Sequence, residues 1–310
     1  MAPTNSVELI FGTAWISNPP DPYWAQSDAH ILEAYAALKK HGITKLDTSV
    51  IYQDSEAKLG ETEAAKSHSF RIGTKWPGGF AMDRLQPTQK EVLHEINASL
   101  ERLGVEQVDV YYFHAPFAGW DLRPILAAVN DAFKAGAFRD LGSPASPRRK
   151  SRRKVEDDLF PLFRELGVAF YAYSPTVGGF LAKARQDVES GQGRFGAEFL
   201  EIAEDEGVSR IELAYRWIRF HSALRFEHGD AIVSGTSNIY QLEKTLNLFN
   251  KGPLSSWASQ LIEETWESIK DDAGADNFAA LSGNLKVLGQ HITLILPAKL
   301  YRGLESRGEP

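Results

Sequence analysis

The sequence predicts an α/β protein built as a parallel (β/α) barrel, and three observations carry that expectation. Short apolar strands alternate with amphipathic helices through most of the 310 residues. Polar, reactive side chains stand at or just past the ends of those strands, where parallel barrels place their chemistry. Neither a G-x-G-x-x-G turn after Gly12 nor a P-loop is present, which argues against an open, doubly wound sheet.

The elements follow in order. Leu9 to Ala14 reads as a first strand. Ser27 to His41 reads as a helix, capped by Ser27, with Ile31, Leu32, Tyr35 and Leu38 at helical spacing and Gly42 as its stop. A strand is expected over Lys45 to Val50, a helix over Glu56 to Lys66 and a strand over Arg71 to Trp76. Val92, Ile96, Leu100 and Leu103 form the stripe of a helix over Thr88 to Leu103, ended by Gly104. Val108 to Phe113 is rich in β-branched and aromatic residues and reads as the fourth strand. A helix over Ile125 to Ala135 and a short strand over Ala137 to Gly142 come next.

Ser143 to Lys154 breaks the pattern. Its two prolines and dense Arg/Lys run exclude a buried strand, and a solvated loop accounts for the basic residues better than a nucleic-acid patch, because no aromatic residue is interleaved. The alternation resumes with a helix over Val155 to Leu166 and a strand over Val168 to Tyr173, followed by a Pro/Gly loop. Helices over Phe199 to Glu206 and Ser209 to His221, a strand over Asp230 to Ser234 and helices over Ile239 to Leu248 and Trp257 to Asp272 complete it. The apolar stretch Gln290 to Leu300 has no place in this scheme.

Composition narrows the function. A formal charge of -7 gives no reason to expect nucleic acid or an anionic membrane. With no cysteine, disulfides and thiolate metal sites are excluded, and His41, His68, His94, His221 and His228 show no paired metal-ligand spacing, so no metal is expected. The first residues lack a basic region followed by an apolar run, and no apolar stretch reaches 18 residues, so a cytoplasmic chain without a spanning helix is expected.

Four residues concentrate the chemistry: Asp47, Tyr52, Lys75 and His114. An acid, a phenol, an amine and an imidazole at successive strand ends can form a proton-transfer site, although each taken alone is an ordinary turn, packing or surface residue. Together with LDTSVIY at 46–52, GTKW at 73–76, VDVYYFHAP at 108–116, FYAYSPTVGGFL at 170–181 and AIVSGTSNIYQLEKTL at 231–246, they make the chain resemble the aldo-keto reductases. The resemblance is nearest the aflatoxin-aldehyde reductase branch and its fungal members, and it spans residues 8 to 278 with interruptions.

That resemblance implies a (β/α)8 TIM-type barrel and an NADPH-dependent oxidoreductase that reduces an aldehyde or ketone to an alcohol, as a monomer or homodimer, in fungal secondary metabolism or aldehyde detoxification. It implies Tyr52 as general acid, Lys75 as the group that lowers the phenol pKa, Asp47 as the partner of the lysine and His114 as the residue orienting the carbonyl. Ser143, Tyr173, Ser174, Gly235, Ser237 and Gln241 match the cofactor contacts, with Thr245 where the family has an asparagine.

It also implies an internal deletion. The asparagine of the family's Ser-Asn pair, the helix and the sixth strand that follow the fifth strand are absent after Ser143, and a second shortening follows Phe195. The expected organisation is a barrel over 1–278, interrupted near 143–154 and 195–198 and lacking or distorting its sixth strand, followed by a non-matching tail over 279–310. The competing readings are a catalytically impaired remnant or non-enzymatic binding barrel and, more remotely, a partner of a membrane channel.

Overall fold

Closure of the sheet is the main feature of the computed structural model, which describes residues 7–16, 27–78, 86–114, 120–145, 160–173, 175–176, 194–236, 239–269 and 292–296. Among these, eight strands form a closed barrel: β1 (Glu8–Gly12), β2 (Lys45–Asp47), β3 (Arg71–Trp76), β4 (Val108–Phe113), β5 (Phe138–Ala145), β6 (Ala169–Tyr173), β7 (Ala231–Ser234) and β8 (Ile292–Leu296). Around the barrel the order is β1-β2-β3-β4-β5-β8-β6-β7. Seven of the strands are mutually parallel, and β8 runs antiparallel to both its neighbours.

The gap expected after β5 is therefore filled from the opposite end of the sequence. Ser143 pairs with Leu294 and Phe170 pairs with the same residue, so β8 bridges the two edges that a missing sixth strand would leave open. The segment ITLIL is rich in β-branched residues, which suits a strand with a neighbour on each side. The expectation that Ser143 to Lys154 contributes no strand is corrected at its first three residues. Ser143, Pro144 and Ala145 extend β5 and pair with β8, whereas pairing with β4 stops at Gly142. Pro144 thus lies where β5 has a strand on one edge only, a position that tolerates a missing N–H. The basic run itself lies outside the described residues.

The helices are α1 (Asp28–Lys40), α2 (Ser55–Glu61), α3 (Gln89–Leu103), α4 (Leu122–Lys134), α5 (Phe160–Leu166), α6 (Arg194–Asp205), α7 (Arg210–Phe220), α8 (Ile239–Phe249) and α9 (Ser256–Ile269). Ser27 caps α1, and Thr88 with Glu91 forms a capping box on α3, which Gly104 ends at φ +65°. α2 is shorter than the helix expected over Glu56 to Lys66, because Glu63 takes a left-handed φ of +51° and breaks the run. β2 stops at Asp47 rather than Val50, because the chain turns there: Ser49 O accepts the N–H of Tyr52 at 2.9 Å.

Alternation along the strands separates two apolar regions. Ile10, Val110, Tyr112, Tyr171, Ala231 and Val233 pack together as the barrel lumen. Phe11, Leu46, Ile72, Tyr111 and Phe113 belong to the layer against the helices, which contribute Ile31, Leu38, Val92, Ile96, Ile125 and Val129. Gly73 is required by the lumen packing, since a Cβ there would sit 2.9 Å from the ring of Tyr112. At the N-terminal mouth Glu8 pairs with Lys45 at 2.8 Å and with Arg71 at 3.4 Å. Buried Asp230 takes both guanidinium nitrogens of Arg164, at 2.9 and 2.6 Å, and accepts the N–H groups of Phe170 and Arg225, tying β6 to the start of β7.

Two changes test the role of β8. Deleting residues 279–310 exposes the facing edges of β5 and β6, and the expected outcome is a shift to aggregates in size-exclusion chromatography. Leu294→Pro removes one backbone donor in the middle of β8 and is expected to lower stability by about 2 kcal/mol or more in urea denaturation. A truncated chain that stays monomeric with unchanged stability contradicts the role given to this strand.

Candidate active site

The C-terminal mouth of the barrel gathers the four residues singled out by sequence. Asp47 ends β2 and Lys75 is the fifth residue of β3, two residues past Gly73, the pairing partner of Asp47. Both side chains are buried, and the lysine Nζ donates to Asp47 Oδ1 and to the carbonyl oxygen of Thr48, the latter at 2.8 Å. Burial raises the Asp47 carboxyl pKa above its ordinary value, and the Lys75 ammonium opposes that rise. The pair is well matched, because a buried charge without its partner is costly.

Tyr52 sits on the turn between β2 and α2, half-buried, with its ring centroid 5.2 Å from Lys75 Nζ. His114, buried just past β4, stands edge-on to that ring with centroids 5.5 Å apart. Burial pushes the Tyr52 phenol above its ordinary pKa, and the Asp47 carboxylate adds to the rise. This qualifies the sequence expectation of a phenol lowered by the lysine: in the resting site burial and the Asp47 carboxylate both raise the phenol, so it stays protonated at pH 7. A phenol that keeps its proton in the resting site remains available as an acid.

The turn carrying Tyr52 is held by a hydroxyl network that the sequence did not announce. Thr48 Oγ1 lies 2.9 Å and Thr13 Oγ1 3.0 Å from Ser55 Oγ, which donates to the carbonyl oxygen of Thr13 at 3.1 Å. Glu56, fully buried in the first turn of α2, accepts from Thr74 Oγ1 at 2.5 Å and from Arg102 Nε of α3 at 2.7 Å. These contacts clamp the turn to β1, β3 and α3. Ser49 Oγ lies 2.8 Å from His114 Nδ1. No sequence signal marked this contact, because its partners are separated by 65 positions.

The residues matched to the cofactor are placed unevenly. Tyr173 ends β6, half-buried, opposite Val233 of β7. Gly235 is exposed just past β7, and Gln241 is exposed in the first turn of α8, so both lie on the same mouth as Asp47 and Lys75. Ser143 pairs with Leu294 through its backbone. Ser174 and Ser237 lie outside the described residues. Thr245, in the position where the resemblance called for an asparagine, is buried, with its hydroxyl hydrogen-bonded to the phenol of Tyr215.

Comparison with known proteins agrees with this geometry at the level of family. The model of the Aldo/keto reductase family matches residues 8–146 and 143–267, two segments that overlap at the end of β5. The chain belongs to the aldo/keto reductase family. It is 31% identical over 323 residues to Oxidoreductase sirO of Leptosphaeria maculans, a match covering 86% of this chain and 96% of the relative. It is 28% identical over 292 residues to human Aflatoxin B1 aldehyde reductase member 4, covering 74% of this chain and 86% of that protein. Among solved structures, an aldo-keto reductase from Bacillus halodurans in its holo form superposes with a TM-score of 0.63 at 19% identity, over 84% of this chain and 92% of that one. A Bombyx mori aldo-keto reductase in complex with NADP superposes with a TM-score of 0.55 at 18% identity, over 83% and 88%. Among the described residues, no helix is long and apolar enough to cross a membrane.

The buried pair and the raised phenol make two predictions. Asp47→Asn removes the carboxylate that raises the Tyr52 pKa and leaves Lys75 cationic, so the phenolate is expected at lower pH. Ultraviolet difference titration against Asp47→Asn/Tyr52→Phe isolates that signal, and a titration at unchanged pH contradicts the assignment. Lys75→Met strands the Asp47 carboxylate and is expected to reduce stability by about 3–5 kcal/mol at neutral pH, less below the carboxylate range, as measured by denaturation at two pH values.

Proposed function

We propose that this chain is an NADPH-dependent reductase that converts an aldehyde or ketone to an alcohol, with Tyr52 as general acid. The convergence of Tyr52, Lys75, Asp47 and His114 on one mouth of the barrel carries the reading. As the carbonyl oxygen gains charge, the Tyr52 O–H supplies a proton, and the Lys75 ammonium stabilises the phenolate left behind. Asp47 holds the ammonium in position, and His114 donates a hydrogen bond to the carbonyl oxygen. A positioned acid of this kind contributes roughly 10²–10⁴-fold.

The chemistry of the donor set fits a dinucleotide cofactor. An aromatic side chain ends β6, and an exposed helix start carrying Gln241 follows β7 on the same mouth. Tyr173 would stack on the nicotinamide, with Ser143 and Ser174 beside it. Gly235, Ser237 and Gln241 would hold the adenosine phosphate at the start of α8, where unpaired N–H groups favour an anion. When bound, the cofactor supplies the hydride.

Kinship with a fungal oxidoreductase and with aflatoxin-aldehyde reductases by name supports a role in fungal secondary metabolism or aldehyde detoxification. We place that role in the cytosol, in keeping with a chain free of cysteine, and assign it to a monomer or homodimer. Fluorescence titration with NADPH and oxidation of NADPH by 4-nitrobenzaldehyde test the reading. Tyr52→Phe is expected to keep NADPH affinity within about twofold and to lower kcat by roughly 10²–10⁴-fold. A folded chain that does not bind NADPH would instead be a non-enzymatic barrel, in which the antiparallel β8 has displaced cofactor contacts of the family's sixth strand.

A further inference from the structure

Ser49 lies two residues past Asp47 and is fully buried. Its hydroxyl meets two polar atoms among the described residues. One is the backbone N–H of Ile51, which donates to Ser49 Oγ at 3.4 Å. The other is His114 Nδ1, at 2.8 Å. An N–H cannot accept, and a buried hydroxyl proton needs an acceptor, so the Ser49 O–H must point at Nδ1. An imidazole nitrogen that accepts carries no proton, and a neutral ring then bears its proton on Nε2.

We propose that Ser49 is a positioning residue: its hydroxyl fixes His114 as the Nε2–H tautomer, the form that can donate to a carbonyl oxygen beside Tyr52. The inference rests on the reductase reading above for its catalytic consequence, although the tautomer itself follows from the hydrogen bonds alone. The same contact fixes the ring plane, and the ring stands edge-on to Tyr52 at 86°. The turn that brings Tyr52 to the mouth therefore also sets the proton on His114. The N–H of Tyr52 donates to the carbonyl oxygen of Ser49 at 2.9 Å, so both residues move with one turn.

Nitrogen-15 NMR of histidine-labelled protein reads the tautomer directly, with the His114 signals assigned by their loss in His114→Gln. Near pH 8 the wild-type ring is expected to carry its proton on Nε2. Ser49→Ala is expected to bring an Nδ1–H population into view, and Ser49→Thr to restore the wild-type pattern. In NADPH-dependent reduction of 4-nitrobenzaldehyde, Ser49→Ala is expected to lower kcat about tenfold, the loss of one hydrogen bond, with NADPH affinity unchanged. A wild-type ring protonated on Nδ1, or a Ser49→Ala enzyme with unaltered tautomer or unaltered kcat, overturns the proposal. Tyr52→Phe separates the two readings. If it leaves turnover intact, the acid assignment fails; if the tautomer also remains Nε2–H in that variant, the Ser49 contact is upheld independently.

Discussion

A parallel barrel holds its shape only if every strand has a neighbour on both sides, and in this chain that condition is met by a strand of the wrong direction. β5 and β6 would each present unpaired N–H and C=O groups to solvent without β8. The two edges are bridged by Ile292–Leu296, whose residues pair backward with Leu141–Ala145 and Ala169–Tyr171. Closure keeps β2, β3 and β4 in register, and the distance between Asp47, Lys75 and His114 depends on that register. The mouth of the barrel is thus maintained in part by a segment far from it in sequence.

Within the mouth, one buried ion pair organises the rest. Lys75 is satisfied by Asp47 and by the carbonyl of Thr48, which leaves its ring contact with Tyr52 as a local field rather than a bond. A charge removed from water is tolerable here because its counter-charge is removed with it. Burial, with the Asp47 carboxylate adding to it, holds the Tyr52 phenol above its ordinary pKa. Around the pair, uncharged hydroxyls do the positioning: Thr13, Thr48 and Ser55 fasten the Tyr52 turn, and Ser49 orients His114. Hydroxyls suit this task, since each can donate and accept within one short side chain.

Much of this is legible in the sequence. The period of the helix at Gln89–Leu103, with Thr88 before it and Gly104 after, marked its ends because capping chemistry is local. β3 and β4 were legible as apolar runs because both are packed on two faces. Asp47, Lys75 and His114 were conspicuous as buried-type positions occupied by polar residues. Boundaries failed where backbone conformation, not side-chain pattern, decided them. The early end of α2 at the left-handed Glu63 is one case, and the strand through Pro144 is another. Ser143–Ala145 reads as loop material by composition, yet a partner arriving from residue 292 onward makes it a strand.

The polar residues that gather at the mouth, their order along the chain and the parallel α/β class were therefore determined by sequence alone, because hydrophobic period and residue chemistry are properties of short segments. Tertiary structure decided what those segments could not: which edges meet, which way β8 runs, and which hydroxyl faces which ring. Strand propensity carries no direction, and a hydrogen bond between residues 49 and 114 has no signature in either neighbourhood. The apolar stretch near the C-terminus had no role when read along the chain. Its role is to complete a sheet whose open edges exist only once the barrel has curled.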